Sequence, residues 1–240
     1  MARTILTAGT PAVIALQEVE NQRVLEDLAA HDLLEEYAYQ AFLKEEAGGE
    51  GLAVGYLIRT EEGEVLSLDR HTAPEGFPNP SLLLLEVAIT RGEQEQTLFV
   101  INTHFTASQV GAANNPVQQA LADWVVKLVE GIQDEQPGAQ VVVAGSLNAG
   151  LGSTPVEMLK QAGLAHVFEV LPEEERYTAI EEGISWALDH MLVSPDMNER
   201  LSRVHVLHVN ADFPVPLAGD VSPRRASDHD PVIAFFTFPD

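Results

Sequence analysis

The sequence contains no cysteine, which excludes disulfides, thiolate nucleophiles and Cys-ligated zinc. Cations are scarce: 13 Lys and Arg stand against 37 Asp and Glu, a formal net charge of −24. The acids are spread through Glu45–Glu50, Glu61–Glu64, Asp134–Glu135 and Glu173–Glu175 rather than massed in a tail. Such a surface is well solvated and repels polyanions. No basic patch of the kind that neutralises a phosphate backbone is visible; Arg224–Arg225 is the one basic pair beside a motif. Long apolar runs are missing too. The longest, around Leu82–Leu85, is far too short to span a bilayer. Met1 is followed by a single Arg and no apolar segment, so no signal peptide is expected, although a trimmed secreted chain would look the same.

What is present suits one folded unit. A chain of 240 residues with 45% apolar content can bury a sizeable core, and one α/β domain over 1–240 is the expectation. Val13–Leu16 reads as a buried strand ending in Gln17–Glu18. Glu20–Ala30 has helical spacing, with Val24, Leu25 and Leu28 on one face. Strand-like runs follow at Gly51–Arg59 and Glu64–Leu68, then a Pro/Gly/Asn loop at His71–Pro80. Ser81–Thr90 and Thr97–Asn102 read as a hairpin turning at Arg91–Gly92–Glu93. Asn114–Gln133 is the clearest helix, with Pro116 in its first turn and a stripe of Leu121, Val125, Leu128 and Val129. Val141–Ala144 is a short buried strand. A helix from Ser153 or Thr154 runs through Ala162 with Pro155 early in it. Trp186–Val193, Val204–Val209 and Pro231–Phe238 complete the strands. Irregular alternation with hairpin-like pairs argues for mixed β-sheets packed face to face with helices outside.

Polar motifs sit at the ends of these strands, where sites are usually assembled. Ser227–Asp228–His229–Asp230–Pro231 places an imidazole between two carboxylates, so one acid can bind metal while the ring handles protons. Asp189 lies inside an apolar run, and a buried carboxylate is costly unless paired. The expected partner is His229, with an arginine or backbone amides as the alternatives. Glu18 can offer oxygen to a hard cation or, equally, favour a helix start. His104 follows a strand, and Asn148 lies at a strand–loop junction where it could orient a phosphate, orient a water, or simply make a turn. His205 and His208 are three apart and would point to opposite faces of a strand, so they cannot share a metal. They are set aside with His31, His71 and His166, and His190 faces away from Asp189. The inventory is that of a site holding a divalent metal and hydrolysing a phosphoester.

LQEVEN at Leu16–Asn21, QALADW at Gln119–Trp124, GSLNA from Gly145, WALDHMLVS from Trp186, the Asn210–Pro214 loop and RASDHDPV from Arg225 occur in an order that resembles the endonuclease/exonuclease/phosphatase superfamily. The wording is most similar to its bacterial extracellular-nuclease branch. The resemblance implies an α/β four-layered sandwich, two packed mixed β-sheets with helices on the outside, and a site using Mg²⁺ or Mn²⁺, with Ca²⁺ a third candidate. It implies Glu18 and Asp228 as metal-linked acids, His229 as the catalytic histidine oriented by Asp189, His104 on the phosphate and Asn148 as the asparagine of a GDxN motif. The substrate would be a small phosphoester or a nucleic acid, and the charge disfavours tight binding to duplex DNA. The location would be the bacterial cytoplasm, or outside the cell after processing. Two departures accompany it. Ser146 stands where the family has Asp, and a hydroxyl has no useful basicity at neutral pH. The family's opening strand, ending in an Asn, is not visible in Met1–Ala15. The rival readings are a catalytically inactive binding or structural domain, and a serine hydrolase built from Ser146, Asp189 and His229.

Overall fold

In the computed structural model the described residues are 1–44, 52–72, 81–105, 115–215 and 217–237. The expected acids at 45–50, most of the loop at 73–80, Gly51, Asn114 and Phe238 lie outside them. The chain opens with α1 (Ala2–Thr7), β1 (Val13–Val19), α2 (Gln22–Ala29), β2 (Tyr39–Leu43), β3 (Ala53–Arg59) and β4 (Gly63–Arg70). It continues through β5 (Ser81–Arg91), β6 (Gln94–His104), α3 (Pro116–Glu135), β7 (Gln140–Ser146), α4 (Thr154–Gln161) and β8 (Ala165–His166). It ends with β9 (Ala179–Glu181), β10 (Ile184–Trp186), β11 (Asp189–Val193), α5 (Pro195–Glu199), β12 (Leu201–Val206) and β13 (Val232–Phe236). The helix starts follow local chemistry. Asn21 Oδ1 accepts the Val24 N–H at 3.0 Å and Asn115 Oδ1 the Val117 N–H at 2.9 Å, each satisfying a donor the helix cannot.

The layers are helix, sheet, sheet, helix, as the patterning predicts. A six-stranded sheet, ordered β4-β5-β6-β7-β11-β8, is antiparallel except for the parallel pair β6–β7. One face packs on α3 and α4 through Leu121, Val125, Val129, Val156 and Leu159. The other face meets β3 through Val54, Tyr56 and Ile58. Ile5, Leu25 and Leu34 then seal the outer side of the β1-β3-β2 sheet. Tyr56 is fully buried, and its hydroxyl lies 2.9 Å from Leu83 O and 2.7 Å from Val100 O, so its polar end is satisfied inside the core.

Four details differ from the sequence expectations. The second layer is not one mixed sheet but two antiparallel pieces, β1-β3-β2 and β12-β13. Strand β1 crosses β6 and β7, β13 crosses β11, and among the described residues neither has a partner on its second edge. The residues before β1, where no opening strand was expected, form α1, a helix that the sequence reading did not include. The run Trp186–Val193 is broken at Ala187–Leu188 into β10 and β11. On α2, Leu25 faces the core while Val24 is 45% exposed, because the apolar stripe centres one residue further on.

Two histidines expected to be uninvolved form a buried pair under β11. His166 Nε2 lies 2.9 Å from His190 Nδ1, His190 Nε2 lies 2.7 Å from Ala149 O, and the Phe168 N–H donates to His166 Nδ1 at 3.1 Å. These partners fix one tautomer: each ring carries its proton on Nε2. Burial pushes the His166 pKa down to about 2, helped by His190, Lys160 and Arg176, and burial lowers that of His190. The folded rings therefore refuse protons that unfolded rings accept below pH ~6.5. Their contribution to stability is present above that pH and is lost as pH falls below it, at up to about 1.4 kcal/mol per pH unit for each ring. His166→Asn keeps an acceptor for the Phe168 N–H and removes one titrating ring. Its urea midpoint should fall less between pH 7 and pH 5 than that of the unaltered chain.

Candidate active site

The site forms at one rim of the sandwich, where β1, β6 and β7 end and the antiparallel β11 begins. Its foundation is Asn102, which is fully buried between the sheets. Asn102 Nδ2 donates to Leu16 O at 3.0 Å and to Gly55 O at 2.9 Å, and Gln17 Nε2 donates to Asn102 Oδ1 at 2.7 Å. All of these partners flank a bulge in β1, where the pairing with β3 slips between Leu16 and Val19. Glu18 sits in that bulge with φ of 55°, a left-handed conformation rare for a residue with a side chain. The bulge turns the Glu18 carboxylate to the rim, where its Oε1 lies 3.5 Å from His104 Nε2.

Strands β6, β7 and β11 contribute a row of three. His104 is opposite Ser146 and Ser146 is opposite Asp189, so the three side chains share the face turned to β1. Gly145 is required for this register. Its φ is 141°, and a Cβ there would collide with the Thr103 carbonyl. Asp189 Oδ2 then meets His229 Nδ1 at 2.7 Å, the pairing expected from the sequence. The side chains are 16% and 28% exposed, which leaves the bond well shielded from water.

The two site histidines differ in charge. Burial works against a proton on His229, but the hydrogen bond to Asp189 and the charges of Asp189, Asp228 and Glu18 outweigh it and push the pKa up to about 9. Burial wins at His104, whose pKa is lowered although Glu18 and Asp189 oppose the shift. The His104–Glu18 contact is therefore one between a neutral ring and a carboxylate rather than an ion pair at neutral pH. These couplings place Glu18, His104, Asp189, Asp228 and His229 in one electrostatic neighbourhood.

Asn148 also lies at this rim, at φ of 50°. One of its amide N–H groups is committed to Phe105 O at 2.6 Å, and among the described residues the second has no partner. The Ser146 hydroxyl is buried and has no hydrogen-bond partner among the described residues. It makes no bond to His229, so the arrangement of a serine hydrolase, in which base and nucleophile touch, is absent here.

Glu18 and Asp228 offer hard oxygen donors, and among the described residues neither meets a Lys or Arg. That donor set fits a hydrated Mg²⁺ or Mn²⁺, which needs only one or two carboxylates beside water and phosphate oxygens. A tighter cluster sits elsewhere: His208, Asp212 and Asp230 bring donor atoms within 4.8 Å of one another. Its chemistry is already used. Asp230 is 2% exposed; its Oδ1 accepts the N–H groups of Val209, Asn210 and Ala211, and its Oδ2 lies 3.0 Å from His208 Nδ1. It staples the chain after β12 to the His229 motif, and Asn210 Nδ2 adds a bond to His229 O at 2.7 Å. Setting His208 aside by strand spacing was a misreading, because β12 ends at Val206. Asn102, Asn210 and Asp230 were missed as site residues; the second acid of Asp228–His229–Asp230 was the available signal.

Fold and rim together define a class: an α/β sandwich with acids, histidines and an asparagine gathered where the strands end. Residues 1–169 match the Endonuclease/Exonuclease/phosphatase family, and the chain belongs to that family. A truncated TDP2 from Caenorhabditis elegans is similar in structure, with a TM-score of 0.69 at 20% identity, over 98% of this chain and 88% of that one. A mannosyl-6-phosphatase from Bacteroides thetaiotaomicron aligns with a TM-score of 0.68 at 15% identity, over 98% and 91%. The human Nocturnin catalytic domain with bound sulfate aligns with a TM-score of 0.66 at 17% identity, over 98% and 86%. Comparison with curated protein sequences finds no match.

Replacing Asp189 by Asn removes both the charge and the strongest acceptor for His229. NMR titration of the His229 ring in the presence of chelator should then give a pKa clearly below that of the unaltered protein. An unchanged value would mean that Asp189 does not control this imidazole.

Proposed function

We propose that the chain is a divalent-metal-dependent phosphoester hydrolase of nuclease or phosphatase type, weakened by serine at position 146. The observation that carries this reading is the 2.7 Å Asp189–His229 bond set within electrostatic reach of Glu18 and Asp228. A divalent cation held by Glu18 and Asp228, Mg²⁺ or Mn²⁺ before Ca²⁺, would polarise the scissile phosphate. His229, charged at neutral pH, donates from Nε2 to a phosphoryl oxygen or gives a proton to the leaving oxygen. Asp189 fixes the orientation of its ring. His104 and the remaining Asn148 N–H steady the phosphoryl oxygens. The attacking water lacks a carboxylate at position 146, a loss of about 10²–10⁴-fold in rate.

The charge of −24 favours a small phosphoester or a short single strand over duplex DNA. The motif wording that resembles extracellular nucleases supports a phosphodiester. Ser146 also favours a second reading, a family member that binds without turnover.

A bis(p-nitrophenyl) phosphate and p-nitrophenyl phosphate assay with Mg²⁺ or Mn²⁺ separates the two. The expected result is slow turnover that chelator and His229→Ala both abolish. Absence of turnover in the unaltered chain and in Ser146→Asp alike would establish the silent reading. On the proposed reading Ser146→Asp raises kcat by about 10²-fold or more in the presence of metal, whereas Ser146→Ala leaves it unchanged.

A further inference from the structure

Thr178 lies just before β9, on the interior side of the rim, and is fully buried. It belongs to none of the sequence motifs, and among the described residues its side chain bonds to no carboxylate or imidazole of the site. Its polar atoms nevertheless hold both halves of the Asp189–His229 pair. The Thr178 hydroxyl oxygen accepts the N–H groups of Leu188 and Asp189, each at 3.1 Å. Its carbonyl accepts the Asp230 N–H at 2.7 Å, and its own N–H donates to Trp186 O at 2.8 Å.

These bonds sit at the break between β10 and β11. Leu188 and Asp189 stand at the start of β11, where a hydroxyl with two lone pairs can take both of their N–H groups. Asp189 then binds His229 through its side chain, and the next residue, Asp230, returns to the Thr178 carbonyl. The bonds close a ring: Thr178 hydroxyl, Asp189 backbone, Asp189 carboxylate, His229 imidazole, Asp230 N–H, Thr178 carbonyl. Valine would fill the same volume, so packing alone does not call for the hydroxyl. Removing it would leave the buried Leu188 N–H and the part-buried Asp189 N–H without this acceptor, and such groups are costly enough to move the chain.

We infer that Thr178 is a positioning residue that sets the separation of the Asp189 carboxylate and the His229 imidazole by fixing the backbone of each. The inference rests on reading that pair as the working acid–histidine couple. Displacement of such a couple by a fraction of an ångström weakens their bond and slows any reaction that depends on it.

The test compares Thr178→Val and Thr178→Ser in the full chain. The first readout is the low-field Nδ1 proton resonance of His229, assigned by its loss in His229→Gln. It should be retained in Thr178→Ser and move upfield or vanish in Thr178→Val. The second is turnover of bis(p-nitrophenyl) phosphate with Mn²⁺: the valine variant should lose about 10- to 100-fold in kcat, with KM held within about twofold, and serine should restore it. A folded valine variant with the resonance in its original place overturns the inference. If no variant turns over substrate, the catalytic reading fails while the resonance still decides the role of Thr178. Should the valine variant not fold, amide hydrogen exchange on the unaltered chain decides. The Leu188, Asp189 and Asp230 amides should be protected like those of the central strands, and exchange at the rate of exposed amides would overturn the ring.

Discussion

One buried amide carries much of this structure. Asn102 lies between two sheets, away from water, and both of its polar ends are satisfied by the backbone and side chain of β1 and by the backbone of β3. An amide so placed is worth more than its bonds in isolation, because any rearrangement that broke one would leave a desolvated group behind. It pins the bulge that presents Glu18 and lies two residues before His104 on the same face of β6. The two ends of the rim, one from the first strand and one from the sixth, are thereby registered to each other across the sandwich. The geometry of the rim inherits its precision from a residue set behind it.

The same acid-rich rim holds one histidine neutral and the other charged. Distance and shielding decide which. His229 has a carboxylate at 2.7 Å, itself largely shielded, whereas the nearest acid to His104 is 3.5 Å away on a side chain that is 59% exposed. A direct bond in a low-dielectric setting outweighs burial, and a longer contact in solvent does not. Two protonation states side by side give the rim both a proton donor and a neutral polar ring. This arrangement suits a protein of net charge −24 whose rim, on the proposed reading, receives an anion.

The layer order and most strands were legible because their apolar patterns are local: β5, β7 and α3 lie within two residues of where periodicity puts them, and β1 and β6 within about three. The site was legible where acids interrupt apolar runs. Asp189 stood out for that reason, and its partner followed from the cost of an unpaired carboxylate. What stayed hidden depends on backbone direction rather than composition. The break at Ala187–Leu188 falls between two apolar residues and leaves no mark in the pattern. Thr178 and Asn102 are ordinary residue types whose importance lies in which carbonyls and amides they reach. His208 was misread because spacing on a strand was applied to residues past the strand's end. The division of the second layer into two pieces is a matter of pairing, which no single strand encodes.

That division has a consequence for the molecule outside its chemistry. Strands β1 and β13 are apolar along most of their length, and the residues of β1 from Val13 to Leu16 keep partial exposure although their sequence is that of an interior strand. Among the described residues no strand covers these edges, and an uncovered edge of this composition is an open template on which other extended chains can pair. Concentration is then a structural variable for this protein. Dilute and crowded solutions present different chances for edge-to-edge joining, and the −24 charge opposes that joining most strongly when little salt is present to screen it.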